Sequence, residues 1–146
     1  MSTFIRGHAR HAGLCLGVLG LLFVSACHDR LASPSIPVPS EFTLATGQHV
    51  TIAPDQVEIG FRKVDGDSRC PTNVVCFWEG AAGVQLWLKP ATRQTTLVGI
   101  EVRGHGSGTT DALGYRITAV KLDPYPQSSG SIPPSAYRVT LHVERP

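Results

Sequence analysis

Tyr137-Arg138-Val139-Thr140-Leu141-His142-Val143-Glu144 places an apolar side chain at every second position. In an extended chain successive side chains point to opposite faces. Tyr137, Val139, Leu141 and Val143 therefore share one face, and Arg138, Thr140, His142 and Glu144 share the other. A helix would scatter the same residues around its axis, so the stretch predicts a half-buried strand. The alternation recurs upstream in Phe42 and Leu44, then, after a turn at Gly47, in Val50 and Ile52. Val57, Ile59 and Phe61 continue it, as do Val84, Leu86 and Leu88 before Pro90, and Thr96, Val98, Ile100 and Val102. Leu113, Tyr115 and Ile117 begin a further strand whose phase slips to Val120 and Leu122, which predicts a bulge near Thr118 and Ala119.

About seven or eight short strands, each with a wet face, predict an all-β antiparallel sandwich or partly closed barrel rather than a buried parallel sheet. The 15 Gly and 11 Pro argue against a helical bundle. Residues 41–146 are the size of one domain. Ahead of them, residues 28–40 (HDRLASPSIPVPS) hold little to bury and read as a tether.

The first 26 residues have a separate logic. Arg6, His8, Arg10 and His11 make a basic start, Leu14 to Val24 is apolar or Gly, and Val24-Ser25-Ala26-Cys27 closes the segment. The apolar run has the length of a signal-peptide core and is too short to span a bilayer comfortably. The tetrad resembles the lipobox of bacterial lipoprotein precursors. That resemblance implies cleavage before Cys27, a lipid on its thiol, and a membrane as partner through that lipid. His28 rather than an acidic residue follows the cysteine, which by enterobacterial sorting rules points to the outer membrane facing the periplasm. Removing Arg6 and Arg10 from the 13 Lys+Arg leaves 11, equal to the 11 Asp+Glu. A mature chain without basic surplus offers no electrostatic footprint for nucleic acid.

Cys15 departs with the leader and Cys27 takes lipid, so Cys70 and Cys76 remain as a pair. In an oxidising compartment they are expected to form a disulfide, and their spacing is not that of a thioredoxin-type motif or a zinc site. Around them runs Val64 to Gly83, VDGDSRCPTNVVCFWEGAAG. Asp67, Ser68, Arg69, Cys70 and Pro71, followed by Cys76, Trp78 and Gly80, resemble a DSRCP…C-x-W-x-G signature of uncharacterised small secreted bacterial domains and lipoproteins. The resemblance extends from about Phe42 to the end, including Leu122 to Pro126 and the Tyr137 strand. Gly66 departs from it, standing where a second acidic residue is expected. The resemblance implies the fold and the bridge and no chemistry.

In physical terms the motif reads as a stapled crossover. Pro71 sets a turn, Asp67 accepts backbone hydrogen bonds, Arg69 pairs with Asp67 or Glu79 and donates to loop carbonyls, and Trp78 packs on the bridge. An alternative is a calcium site of Asp65, Asp67 and Glu79, although the twelve-residue calcium loop is absent. Arg103 to Thr110 (RGHGSGTT) lacks dinucleotide-loop spacing, and Ser107 misses the nucleophile-elbow pattern, so the segment reads as a flexible hairpin loop. Trp87 points away from the apolar face of its strand and, with Tyr125 in the Pro-rich stretch 123–135, is a candidate contact surface. No catalytic residue, cofactor or resident metal is assigned. The leading expectation is a non-enzymatic, membrane-anchored binding or envelope-accessory lipoprotein. The alternatives are a small envelope hydrolase drawing on His105, Asp111 or Glu79, and the calcium-binding domain.

Overall fold

A computed structural model describes residues 34–146. The leader, Cys27 and the first half of the tether lie outside the described residues. Nine strands follow: β1 (Ser35–Ile36), β2 (Ser40–Ala45), β3 (His49–Ile52), β4 (Val57–Asp67), β5 (Ala81–Pro90), β6 (Thr96–Arg103), β7 (Gly108–Ala112), β8 (Tyr115–Asp123) and β9 (Arg138–Glu144). They form a five-stranded sheet in the order β1-β3-β4-β5-β6 and a four-stranded sheet in the order β2-β9-β8-β7. Every pair is antiparallel except β1 with β3. The fold is thus an all-β sandwich, and it is not a closed barrel.

The alternation puts the predicted residues inside. Val84, Leu86 and Leu88 of β5, Val57, Ile59 and Phe61 of β4, and Val139, Leu141 and Val143 of β9 are all buried, with Tyr115, Ile117 and Leu122 of β8 filling the space between sheets. Two-residue periodicity works here because each sheet has one face against the other.

Four local expectations change. Ser35 and Ile36 pair with Thr51 and Ile52, and Ile36 and Val38 pack against the core, so residues 34–40 belong to the sandwich and the tether is shorter than expected. Leu113 is in a turn, not a strand: with Gly114 it takes positive φ (53° and 81°) to close the two-residue hairpin between β7 and β8. The bulge in β8 falls at Val120, between Ala119 and Lys121, one step later than read. Gly108 to Thr110 are β7 rather than loop, and the remaining residues 104–107 cross from one sheet to the other.

Two such corners join the sheets tightly. At the first, Thr46 N–H donates to Tyr137 O (3.3 Å) and Gly47 N–H to Phe61 O (2.8 Å), one bond to each sheet. At the second, a Cβ on Gly108 would lie 2.0 Å from the Glu101 carbonyl oxygen, whereas a Cβ on Gly99 would meet open space. Gly108→Ala should therefore cost about 1–3 kcal/mol in urea unfolding, since overpacking forces the backbone to shift. Gly99→Ala should stay within about 0.5 kcal/mol of the parent.

Candidate functional site

The segment from Asp67 to Gly80 leaves β4 and returns as β5. Its base is sewn by backbone bonds from Ser68 N–H to Ala81 O (2.8 Å), Cys70 N–H to Glu79 O (2.9 Å) and Gly104 N–H to Gly80 O (3.0 Å). Gly80 sits at φ 68°, and a Cβ there would lie 1.8 Å from Ser68 O, so glycine alone fits this closure. Above the base, Cys70 and Cys76 form the expected disulfide. Thr72 N–H donates to Pro126 O (3.0 Å), which ties the loop to the Pro-rich segment.

Arg69 lies beneath the loop, only 3 % exposed. Its Nε and Nη2 donate to Oδ1 (2.9 Å) and Oδ2 (2.7 Å) of Asp67, Nη1 donates to Leu122 O (2.6 Å), and Nη2 also donates to Pro124 O (2.9 Å). The Arg69 backbone N–H adds a bond to Asp67 Oδ1 (3.1 Å), and Tyr137 Oη donates to Oδ2 (3.0 Å). Glu79 takes no part in this pairing. Asp67 belongs to the five-stranded sheet, whereas Leu122 and Tyr137 lie in and next to the four-stranded one, so the network clamps one end of the sandwich. Tyr125 joins it: the Arg69 guanidinium lies 5.0 Å from its ring centre, and His105 stacks on it at 3.8 Å.

Burial works to raise the Asp67 carboxyl, but the Arg69 hydrogen bonds and charge, with the Tyr137 hydroxyl, outweigh it and hold the group below its usual range. Tyr137 is pushed up to about 12 by burial and by the adjacent Asp67 charge, which resists formation of a second anion.

The opposite end has a second clamp that the sequence reading missed. Tyr115 Oη donates to Asp55 Oδ2 (2.5 Å), Arg145 pairs with the same carboxylate, and the Arg145 guanidinium lies 5.4 Å from the Tyr115 ring centre. The hydrogen bond from Tyr115, then that from Arg145, lowers the Asp55 pKa. Nothing in local spacing links Asp55, Tyr115 and Arg145. The antiparallel pairing of β8 with β9, which sets Arg116 opposite Glu144, brings Tyr115 beside Arg145, and the turn between β3 and β4 brings Asp55 to them.

Trp78 corrects an expectation. It does not pack down on the bridge but is 65 % exposed, beside a fully exposed Phe77 (105 %) and Val75, with Val74 about half exposed. The ring closed by Cys70 and Cys76 is too small to have an interior, so Val74 and Val75 within it point outward, and Phe77 and Trp78 follow it on the exposed side. That signal was present in the sequence as Val74-Val75-Cys76-Phe77-Trp78. Next to this tip, on the outer face of the five-stranded sheet, runs a groove of about 900 Å³. Ala81, Gly83 and Gly99 line it, with Trp78, Glu79 and Glu101 among its borders.

The other candidates are dispersed. Trp87 lies on the outer face, over Gly60 and 5.4 Å from His49, half-buried. Tyr125 is half-buried, with its ring engaged by Arg69 and His105 rather than presented outward. Asp111 is held by Arg116, and no hydrogen bond joins it to His105 or Glu79. Asp65 pairs with Lys63, Asp67 with Arg69, and no metal-holding group of His, Cys, Asp or Glu occurs among the described residues. No protein-family profile matches the chain, and no curated protein or solved structure is significantly similar to it.

The clamp carries a pH signature. The Asp67 and Arg69 side chains are 8 % and 1 % exposed, and breaking such a buried pair costs about 3–5 kcal/mol, the loss expected of Asp67→Asn in urea unfolding. Because the folded-state pKa of Asp67 is lowered, its contribution is complete above the unfolded carboxylate value, about 4. It is lost as pH falls from there through the lowered folded value, so the variant should show a flatter acid limb. Tyr137 acts in the opposite sense. Its contribution is present below an unfolded value of about 10 and fades as pH rises toward 12, an alkaline loss that Tyr137→Phe should remove.

Proposed function

We propose that the protein is a lipid-anchored, non-enzymatic accessory domain of the bacterial cell envelope that works by presenting a binding surface. The observation that carries this reading is the stapled tip. Val74, Val75, Phe77 and Trp78 stand in solvent on a loop whose base is fixed by backbone bonds, a disulfide and the buried Arg69. Exposed apolar groups on a rigid frame bind with little further loss of conformational entropy, which is how aromatic anchors contribute to recognition. The neighbouring groove extends the surface. The carboxylates and cations of the two clamps are spent on joining the sheets.

Location follows from the lipobox. Val24-Ser25-Ala26-Cys27 supports processing at Cys27, and His28 supports the outer membrane, facing the periplasm, in a cell with two membranes.

Cys27→Ser should abolish incorporation of labelled fatty acid and move the protein from the membrane to the soluble fraction. Retention of the variant in membranes without label would defeat the anchor. To separate binding from hydrolysis, an envelope defect caused by deleting the protein should be corrected by His105→Ala but not by Phe77→Asp. The reverse pattern would favour the hydrolase.

A further inference from the structure

We propose that the stapled tip is a membrane-contact element: Val75 and Phe77 enter the apolar edge of a bilayer and Trp78 lies at its polar interface, so that the lipid on Cys27 and the loop hold the domain at two points. The inference rests on the anchor reading and adds the partner of the exposed loop.

The tip has the form of an inserting element rather than a pocket. Val75 and Phe77 are fully exposed at its crest, Trp78 is partly covered, and Glu79 follows at the base. Apolar, then amphipathic aromatic, then charged is the order in which a bilayer changes from acyl chain to interface to water. No charged residue lies between Cys70 and Trp78, so insertion strands no ion in the apolar layer and needs no anionic lipid.

Chain direction supports the same partner. β1 is parallel to β3, with Ser35 opposite Thr51, so traced backward at Pro34 the chain points toward the His49 end of β3. β4 is antiparallel to β3, with Thr51 opposite Glu58, and its second half continues past His49 to Asp67 at the foot of the loop. The anchor side of the chain and the loop therefore point the same way. From Glu58 to Asp67 two bulges shorten the strand, and the rise of its partner β5 from Lys89 to Ala82 gives about 23 Å. Cys27 and Pro34 are seven positions apart in sequence, and an extended link of that length spans up to about 25 Å. With the strands tilted to the surface, one bilayer meets both the lipidated cysteine and the tip.

The test uses the full-length protein purified from membranes. The chain has two tryptophans, so Trp87→Phe leaves Trp78 as the sole reporter, and a thermal melt confirms folding. In phosphatidylcholine vesicles with brominated acyl chains, Trp78 emission should shift to shorter wavelength and be quenched. The Val75→Asp, Phe77→Asp double variant should stay anchored and folded yet show aqueous, unquenched emission. Aqueous emission from the anchored parent would overturn the proposal while leaving the anchor intact. If mass spectrometry finds no lipid on Cys27, the anchor reading fails. Vesicle titration of that chain then decides the tip alone: quenching, weakened at least about tenfold by Phe77→Asp, supports insertion, and no quenching overturns it. A shift produced by an envelope protein fraction without lipid, and not by vesicles, would also overturn it.

Discussion

Arg69 is a guanidinium placed inside a sandwich, and the surrounding structure meets its demands. A buried cation is tolerated when its donors are satisfied and its charge is opposed. Here Asp67 supplies the charge in a two-point contact, and the carbonyls of Leu122 and Pro124 take the remaining bonds. Meeting that demand draws the end of β4, the end of β8, the segment after it and the start of β9 to one place. Tyr137 completes the arrangement by donating to Asp67. The second clamp, of Asp55, Tyr115 and Arg145, does related work at the other end but at the surface, with Arg145 and Asp55 both substantially exposed. Solvent screening makes it the weaker partner.

The same geometry accounts for the exposed tip. With the loop base held by Arg69 below, by Gly80 at the closure and by the disulfide above, no slack remains for Trp78 or Phe77 to fold inward. A floppier loop would cover part of its apolar surface by collapse. The protein keeps four apolar side chains in water on a rigid mount, and the area left uncovered is the most distinctive chemical feature of its surface. The small residues of the groove, Ala81, Gly83 and Gly99, continue that surface along the outer face of the sheet.

Much of this was legible in one dimension. The alternation from Phe42 to Val143 specified strands, their buried faces and the all-β class, because a two-residue period has one physical meaning. The pairing of Cys70 with Cys76 was expected once Cys15 was read as part of a leader and Cys27 as a lipid carrier. Less legible were features whose cause lies across the sheet. Ser35 and Ile36 read as tether because two residues carry no period, and only an edge offered by β3 makes them a strand. Leu113 read as strand because its neighbours alternate; the tight closure between β7 and β8 needs positive φ at two positions, and glycine supplies one of them.

Arg69 shows the boundary between the two kinds of information. The sequence by itself determined that an arginine two residues after Asp67 has a carboxylate within reach, since that contact is local. It also determined the strands, the staple and an uncharged run of Val, Phe and Trp within the stapled segment. Tertiary structure alone decided that the guanidinium is buried and that its other donors reach carbonyls more than fifty residues away. It likewise decided that Tyr137 closes the clamp, and that Trp78 faces water instead of the bridge. The physical reason is common to all four. Hydrogen-bond partners and solvent exposure depend on which strands lie opposite one another, and alternation specifies each strand's inner face but not its neighbour.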